Sequence, residues 1–209
     1  NMHVKKKKVF ANEDLFEIEK ECPVENESEV DPNELEEAIK SLFVRDEERN
    51  IYLFGEVTTE SSLAIISQIH NLESKSRNED ICLYINSCGG YVQDCLALID
   101  VMNSSPCDIQ TISIGMAASS ACLIASNGTP GKRFSGRNTE FMFHEISSSI
   151  QTAKPSNMIY FKKEYDRTAD KVNRIFSKNT GKNMKEIRDM FLSNEMIRWM
   201  SANEAKKFG

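Results

Sequence analysis

Residues 109–122, IQTISIGMAASSAC, begin with the pattern of a β-strand and end with the start of a helix. Isoleucine recurs through residues 109–114, as in a strand, and a run of small residues follows Gly115. Ser119 stands at the corner between the two elements, and the N-terminus of a helix stabilises negative charge. The sequence therefore leaves two interpretations of Ser119: it is a nucleophile, or it only caps the helix that follows it.

The same strand-to-helix order repeats along the chain from residue 51 onward. Strands joined by helices of about ten or more residues need right-handed crossovers and form a mostly parallel sheet. The predicted fold class is therefore α/β. The predicted strands are 51–54, 81–85, 109–114 and 141–144, and the predicted helices are 59–72, 92–102, 119–125, 156–177, 184–192 and 202–208.

Two of these elements carry a prediction about burial. The strand at 81–85, ICLYI, is apolar without alternation, which predicts that both of its faces are covered. The helix at 59–72 has an apolar stripe that is expected to face the core. The expected members of that stripe are Leu63, Ile66, Ile69 and Leu72.

Charge and composition exclude several classes of function. The net charge of −6 leaves no basic surplus to neutralise phosphates, which argues against a nucleic-acid-binding protein. The one basic run, residues 5–8, is interpreted as a solvated tail in preference to a nucleic-acid or membrane contact. No apolar run approaches the ~18 residues that a membrane span needs, so no membrane association is expected.

The N-terminal 32 residues are acidic and weakly periodic, which predicts a flexible arm. A helix is predicted to begin at Asp31 and Pro32, because an aspartate caps a helix and a proline suits its first turn. The expected organisation is therefore an arm at residues 1–32 and one domain at residues 33–209.

The six cysteines form no CxxC pair, and the chain contains only three histidines. A zinc site needs several such ligands at short spacing, so no metal is expected, and no cofactor is predicted either. The cysteines lie mostly in apolar stretches and are interpreted as small buried side chains in a reducing compartment.

Polar or glycine residues follow three of the predicted strands. Gly89 and Gly90 follow the second strand, Ser119 follows the third, and His144 ends the fourth. The carboxyl ends of parallel strands meet at one edge of a sheet, where ligands bind. Ser119 as nucleophile, His144 as general base and the N–H groups of Gly90 and Ser120 as an oxyanion hole would form a peptidase site. Each feature also has a plainer interpretation: a glycine turn, a capping serine and a core histidine.

Several stretches, in this order, resemble the proteolytic subunit of the Clp protease (ClpP), a serine peptidase. They cover residues 36–209 and include IYLFGE (51–56), LYINSCGG (83–90), TISIGMAAS (111–119), GKRF (131–134), MFH (142–144), TG (180–181) and MSANEA (200–205). The resemblance implies a ClpP/crotonase-like βαβ spiral with a protruding helix–strand handle at about residues 141–178.

The resemblance also implies partners. The family forms heptameric rings, here homo- or hetero-heptameric with catalytic ClpP subunits, and two rings stack through their handles. A Clp ATPase chaperone ring feeds unfolded polypeptides into the enclosed chamber. The asparagine- and lysine-rich composition favours the stroma of a plastid-type organelle, an apicoplast or a chloroplast, and the cytoplasm and the mitochondrial matrix are the alternatives.

By the resemblance, Ser119 and His144 are the catalytic pair, and Gly90 and Ser120 are the oxyanion donors. The family's acid is an Asp shortly before a Leu/Met-Ser-Ala segment. Counting back from Met200 places that position at Ile197, and counting forward from the Thr-Gly pair at residues 180–181 places it at Asn194. Neither residue is an acid, and the nearby carboxylates that could substitute are Asp189 and Glu195.

The segment after His144 also departs from the family pattern. The family continues with Gln-Pro and a Gly-Gly pair that pairs with substrate, whereas this chain reads EISSSI at 145–150. These departures are similar to those of ClpR, the noncatalytic relative of ClpP that occurs in cyanobacteria and plastids.

Three functions follow from these comparisons of motifs. The expected one is a noncatalytic, ClpR-type ring subunit, and the alternative is an active or weakly active serine endopeptidase that uses Ser119 and His144. An enoyl-CoA hydratase-like enzyme would share the fold, but the retained serine and histidine argue against it.

Overall fold

The computed structural model describes residues 49–146, 157–192 and 197–209, except for the side chains of residues 191 and 192. The chain divides into two units, Asn1–Asn50 and Ile51–Gly209. The predicted arm at residues 1–32 and the helix predicted to begin at Asp31 lie outside the described residues, so the predicted domain boundary stays a prediction.

The described part of the chain has six strands and six helices, and the predicted α/β class is confirmed. They are β1 (Asn50–Val57), α1 (Thr59–Lys75), β2 (Ile81–Gly90), α2 (Val92–Ser104), β3 (Ile109–Ala118), α3 (Ser120–Ser126), β4 (Arg133–Ser135), β5 (Glu140–His144), α4 (Met158–Thr180), α5 (Met184–Leu192), β6 (Ile197–Ser201) and α6 (Ala202–Phe208). The sequence did not predict β4 and β6. The strands β2 and β3 continue beyond their predicted ends, to Gly90 and Ala118.

The strands form one sheet in the order β1-β2-β3-β5-β6, and β4 pairs with β3 beside this path. The strand β3 runs parallel to β2, β4 and β5, as predicted from the helical crossovers. The strand β6 is antiparallel to β5 and forms the end of the sheet.

A bulge near the end of β3 changes the strand's neighbour. Pairing with β2 is regular up to Ile85 and Ser113, and then resumes at Ser87 and Ala117. Gly115 lies between these points with φ +72°, which a glycine adopts without steric cost. Before the bulge β3 pairs with β4, and after it residues 116–118 pair with residues 140–142 of β5. The end of β3 beyond the bulge therefore lies alongside the strand that ends in His144.

The helix α1 faces the core with a different stripe from the predicted one. Its buried apolar residues are Ile65, Ile69 and Leu72, whereas Leu63 is 62% exposed. Successive residues turn by about 100° in a helix, so Leu63 lies on the side opposite Ile65. The prediction was wrong for Leu63, because this residue lies on the solvent-facing side of α1 and the buried stripe begins at Ile65.

The strand β2 is covered more fully on one face than on the other. Its buried residues alternate from Ile81 through Leu83 and Ile85, and Tyr84 is partly exposed. On the less covered face Tyr84 stacks on Tyr52 of β1, with ring centroids 5.3 Å apart. The prediction of two covered faces was therefore wrong for this face, because the stacked rings of Tyr52 and Tyr84 leave it partly in solvent.

The helix α4 is anchored to the core by its C-terminal half. Its buried residues are Val172 and Phe176. The ring of Phe176 packs edge to face on that of Phe143 in β5, with the ring centroids 3.7 Å apart. Near its N-terminus Ile159 is 83% exposed. Most of the segment that joins β5 to α4 lies outside the described residues, so the handle at residues 141–178 stays a prediction. Among the helices that the structure describes, none is both long and apolar enough to cross a membrane.

Arg133 connects the C-terminal ends of two helices. Its guanidinium Nη1 donates to the carbonyl oxygen of Ser126, at the end of α3, at 3.3 Å, and to that of Asn179, near the end of α4, at 2.9 Å. Burial lowers its pKa from the ordinary value, but arginine stays charged at neutral pH. The cation therefore complements the negative ends of two helix dipoles at once.

We expect Arg133→Met to lower the free energy of unfolding by about 2 kcal/mol, because a charged donor to two partly buried carbonyls is lost. Urea denaturation followed by circular dichroism measures the change. Lys171→Met removes an exposed cation from α4 and serves as the control. Equal effects of the two substitutions would contradict the assigned role of Arg133.

Candidate active site

Ser119 has a backbone conformation that few residues adopt. It lies between β3 and α3 with φ +54° and ψ −123°, and it is the one non-glycine residue with positive φ in the described part of the chain. Such a conformation costs about 1–3 kcal/mol and persists only where the surroundings enforce it. The residues on both sides, Ala117, Ala118, Ser120 and Ala121, are small and buried. A sharp turn with small neighbours is typical of a strand-to-helix corner that presents a nucleophile.

The side chain of Ser119 does not cap α3. It makes no hydrogen bond to the first turn of the helix. Instead, Ser119 Oγ lies 2.8 Å from Nε2 of His144. The backbone supports this contact, because the N–H of Ser119 donates to the carbonyl oxygen of Met142 at 2.8 Å. The interpretation of Ser119 as only a capping serine is therefore wrong.

The contact between Ser119 and His144 has the geometry of a nucleophile and its base. A distance of 2.8 Å is typical of a strong hydrogen bond between heavy atoms. When Nε2 is unprotonated, it accepts the hydroxyl proton as the oxygen attacks a carbonyl carbon. His144 is partly buried, and its Nε2 is directed at the one hydroxyl that stands on the strained turn.

The glycine turn at the end of β2 lies directly against the turn of Ser119. Gly89 has φ +90°, and a Cβ atom added to it would lie 2.6 Å from the carbonyl oxygen of Ala118 and 2.7 Å from Cβ of Ser119. A Cβ atom at Gly90 would lie 2.1 Å from the carbonyl oxygen of Val57. Glycine is needed at both positions because other backbone approaches too closely for a side chain.

The predicted oxyanion donors, Gly90 and Ser120, lie on these two adjoining turns. The hydroxyl of Ser120 donates to the carbonyl oxygen of Gly90 at 3.4 Å. The N–H of Ser120 belongs to the first turn of α3, where backbone donors have no partner within the helix. The structure therefore brings Gly90 and Ser120 together beside Ser119, and their role in binding an oxyanion stays a prediction.

Two buried side chains that the sequence did not single out support these turns. Ser87 Oγ accepts the N–H of Gly89 at 3.1 Å, and Cys95 Sγ donates to the carbonyl oxygen of Ser120 at 3.3 Å. Burial raises the pKa of the Cys95 thiol to about 12, so it remains protonated and keeps its donor. Ser87 lies within the LYINSCGG stretch (83–90) but has no role assigned from the sequence, and Cys95 lies in none of the motifs, so only the fold shows these contacts.

The residue across from His144 in the sheet is Ile197. The pairing of β5 with β6 sets His144 directly opposite Ile197, and Ile197 is 55% exposed. In the described parts of the chain, Ser119 is the one side chain that is hydrogen-bonded to His144. Asp189 lies on the exposed side of α5 and makes no hydrogen bond or ion pair with His144 among these residues, and both Asn194 and Glu195 lie outside them.

The thiols and acids of the described residues do not form a metal centre. No group of three or more His, Cys, Asp or Glu side chains there is arranged to hold an ion. Five cysteines are free thiols, of which Cys95, Cys107 and Cys122 are buried, Cys82 is partly buried and Cys88 is exposed. The predicted burial therefore applies to most of them but not to Cys88.

Comparison with known proteins extends these observations to a family. The sequence profile of the Clp protease family matches residues 34–209. A protein of Streptococcus mutans described as an ATP-dependent Clp protease proteolytic subunit is 37% identical over 172 residues, which cover 82% of this chain and 85% of that protein. A protein of Streptococcus uberis with the same description is 36% identical over the same shares.

The chain belongs to the Clp protease family.

Membership of the Clp protease family agrees with the geometry of the site. The elements that present Ser119, His144 and the glycine turn all lie within residues 34–209, which match the family. Activity depends on the side chains of the site as well as on the fold that positions them.

We expect Gly89→Ala to destabilise the protein and to abolish any reactivity of Ser119, because the added methyl group overlaps the turn that holds the nucleophile. The cost combines about 1–2 kcal/mol for positive φ with about 1–3 kcal/mol for the overlap. Thermal unfolding and labelling by a fluorophosphonate probe measure the two effects.

Gly131→Ala is the matched control for this substitution. Gly131 also has positive φ, at +82°, but nothing lies within 4 Å of the position of its Cβ atom. A loss of stability as large as that of Gly89→Ala would show that backbone conformation, and not the close approach, explains the need for glycine.

Proposed function

We propose that this chain is a ClpP-like subunit of an ATP-dependent Clp protease and that its role there is structural, as in the noncatalytic ClpR subunits. Membership of the Clp protease family and the descriptions of the streptococcal relatives support the first part. The environment of His144 supports the second, because the site retains its nucleophile and base but lacks an acid among the described residues.

The observation that carries the proposal is the pairing of His144 with Ile197. Directly opposed residues of an antiparallel pair have Cβ atoms about 4.5–5.5 Å apart on the same face of the sheet. A carboxylate at position 197 would therefore be within reach of the imidazole, and the motif count from Met200 also places the family's acid there. Isoleucine has neither a charge nor a hydrogen-bond acceptor with which to serve the histidine.

The absence of an acid has a large effect on the chemistry of serine peptidases. A carboxylate holds the imidazole in the correct tautomer and stabilises the imidazolium that forms during attack. Its loss lowers kcat by about 10⁴-fold, which corresponds to about 5 kcal/mol of transition-state stabilisation. A subunit with Ile197 in this place would contribute little hydrolysis of its own.

The proposed assembly is a heptameric ring, formed by this chain alone or together with catalytic ClpP subunits. A Clp ATPase ring would supply unfolded polypeptides, and the stroma of a plastid-type organelle is the proposed location. The exposed apolar side chains at the start of α4, which include Ile159 and Tyr160, support assembly, because an isolated subunit would leave them in water.

A serine endopeptidase is the second candidate function, and the contact of 2.8 Å between Ser119 and His144 favours it. The backbone of Ser119 keeps a strained conformation, which costs stability and is typical of residues in active sites. In this interpretation Asn194 or Glu195 would orient the imidazole.

We expect Ile197→Asp to raise the rate of fluorophosphonate labelling of Ser119 by about 10³-fold, because the new carboxylate would support the imidazolium of His144. Mass spectrometry of the intact protein measures labelling over time. Ile197→Asn is the matched control. The amide of asparagine has the same shape as the carboxylate of aspartate but no charge, so it should raise the labelling rate much less.

Two results would contradict the proposed structural role. One is rapid, stoichiometric labelling of Ser119 in the wild-type protein. The other is a fall in peptidase turnover when Ser119→Ala is introduced into a mixed complex with catalytic subunits, since this chain would then contribute active sites.

We expect native mass spectrometry of the purified chain to show a single heptameric ring. The hydrophobic area that isolated subunits expose favours association at micromolar concentration. A monomer at that concentration would contradict the proposed ring.

A further inference from the structure

His144 lies at the very end of β5, where a strand is least constrained. Its backbone pairs with Ile197 of β6, and that pair is the last one in the ladder. The strand β3 pairs with β5 only as far as Met142. The chain beyond His144 thus leaves the sheet after two short strand contacts, and some other contact has to fix its direction.

A side chain of α4 fixes the direction of the chain after His144. The phenol of Tyr165 donates to the carbonyl oxygen of Ile146, two residues after His144, at 2.7 Å. The side chain of Ile146 is partly buried and packs against the hydrophobic core. The backbone at Ile146 is therefore held from both sides, by the core and by the helix.

The same helix also holds β5 on the other side of His144. Phe176 of α4 packs edge to face on Phe143, with ring centroids 3.7 Å apart. Residues 165 and 176 are separated by about 16 Å along a helix, at 1.5 Å per residue. One rigid element thus contacts the residue before His144 and the segment after it.

The phenol is suited to a permanent contact of this kind. Burial, together with the negative charge of the neighbouring Glu145, raises the pKa of Tyr165 to about 12. Tyr165 therefore remains a protonated donor at any pH at which the protein would work. A hydrogen bond of 2.7 Å from a hydroxyl to a carbonyl oxygen has good geometry.

We propose that Tyr165 is a positioning residue for His144, which holds the end of β5 so that Nε2 stays within hydrogen-bond distance of Ser119 Oγ. The phenol touches neither the nucleophile nor a substrate, and it acts through the backbone at Ile146. The inference rests on the proposed function only through the assignment of Ser119 and His144 as the reactive pair, and it holds whether or not an acid is present.

The test compares Tyr165→Phe with Tyr160→Phe in the full chain, as assembled in solution. Both substitutions remove one phenolic hydroxyl from α4 and keep the ring. Tyr160 is 64% exposed, its ring lies beside that of Phe161, and within the described residues it makes no hydrogen bond to Glu145 or Ile146. The control therefore measures what the loss of a hydroxyl from this helix does in general.

The first readout is the magnetic resonance spectrum of the protein with ¹³C-labelled histidine. The chain has three histidines, so the imidazole signals of His3, His70 and His144 can be assigned with two substitutions. We expect Tyr165→Phe to shift or broaden the signal of His144 and to leave that of His70 unchanged. A structural role alone, without an effect on His144, would not produce this selective change.

The second readout is the rate of fluorophosphonate labelling of Ser119, measured in the wild-type chain and with Ile197→Asp as background. We expect Tyr165→Phe to slow labelling about fivefold relative to Tyr160→Phe in whichever background reacts, which corresponds to about 1 kcal/mol. The melting temperature should fall by no more than a few degrees.

An unchanged His144 signal in Tyr165→Phe would overturn the inference, and so would equal labelling rates for the two tyrosine variants. These outcomes are distinct from failure of the proposed function. Rapid labelling of the wild-type protein would refute the noncatalytic role, while the ratio between the two variants would still test Tyr165. If neither the wild-type chain nor the chain with Ile197→Asp reacts with the probe, the magnetic resonance signal of His144 alone tests the role of Tyr165.

Discussion

The parallel pairing of residues 116–118 with residues 140–142 is the constraint on which the site depends. It sets the last residue of β3 beside β5, and it allows the N–H of Ser119 to donate to the carbonyl oxygen of Met142. The strand β4 ends at Ser135, opposite Ser113, so the part of β3 beyond the bulge at Gly115 is left to pair with β5. Without the change of neighbour, Ser119 and His144 would lie on strands that do not touch.

The strained turn of Ser119 is stable because its surroundings leave it no alternative. Gly89 approaches the turn of Ser119 so closely that no side chain fits between the two turns. The buried thiol of Cys95 donates a hydrogen bond to the carbonyl oxygen of Ser120 and so fixes the start of α3. The cost of the turn, about 1–3 kcal/mol, is offset by a core that packs on both β3 and α3. The hydrogen bond to His144 is therefore a consequence of how the sheet and α3 pack, and not of local sequence alone.

Sequence reasoning predicted the elements whose patterns are local and missed those that depend on distant partners. The strand–helix order, Ser119, His144 and the glycine pair followed from strand ends that gather at one edge of a sheet. The strand β6 was missed because its five residues, IRWMS, are short and mix charged with apolar side chains. Tyr165 was missed because its bond to Ile146 spans 19 residues, and a tyrosine on a helix has no distinctive spacing.

On the proposed function, the place of Ile197 also explains how a member of this family would lose its acid and keep its fold. The pairing of β5 with β6 is made by backbone groups, which any residue at position 197 supplies. Isoleucine favours a strand more than aspartate does, so the exchange would not weaken the ladder. The acid of a serine peptidase stabilises an imidazolium that exists only during the reaction, so the resting structure does not depend on it. On the proposed function, the hydrogen bond between Ser119 and His144 therefore survives because the pairing of β3 with β5 maintains it.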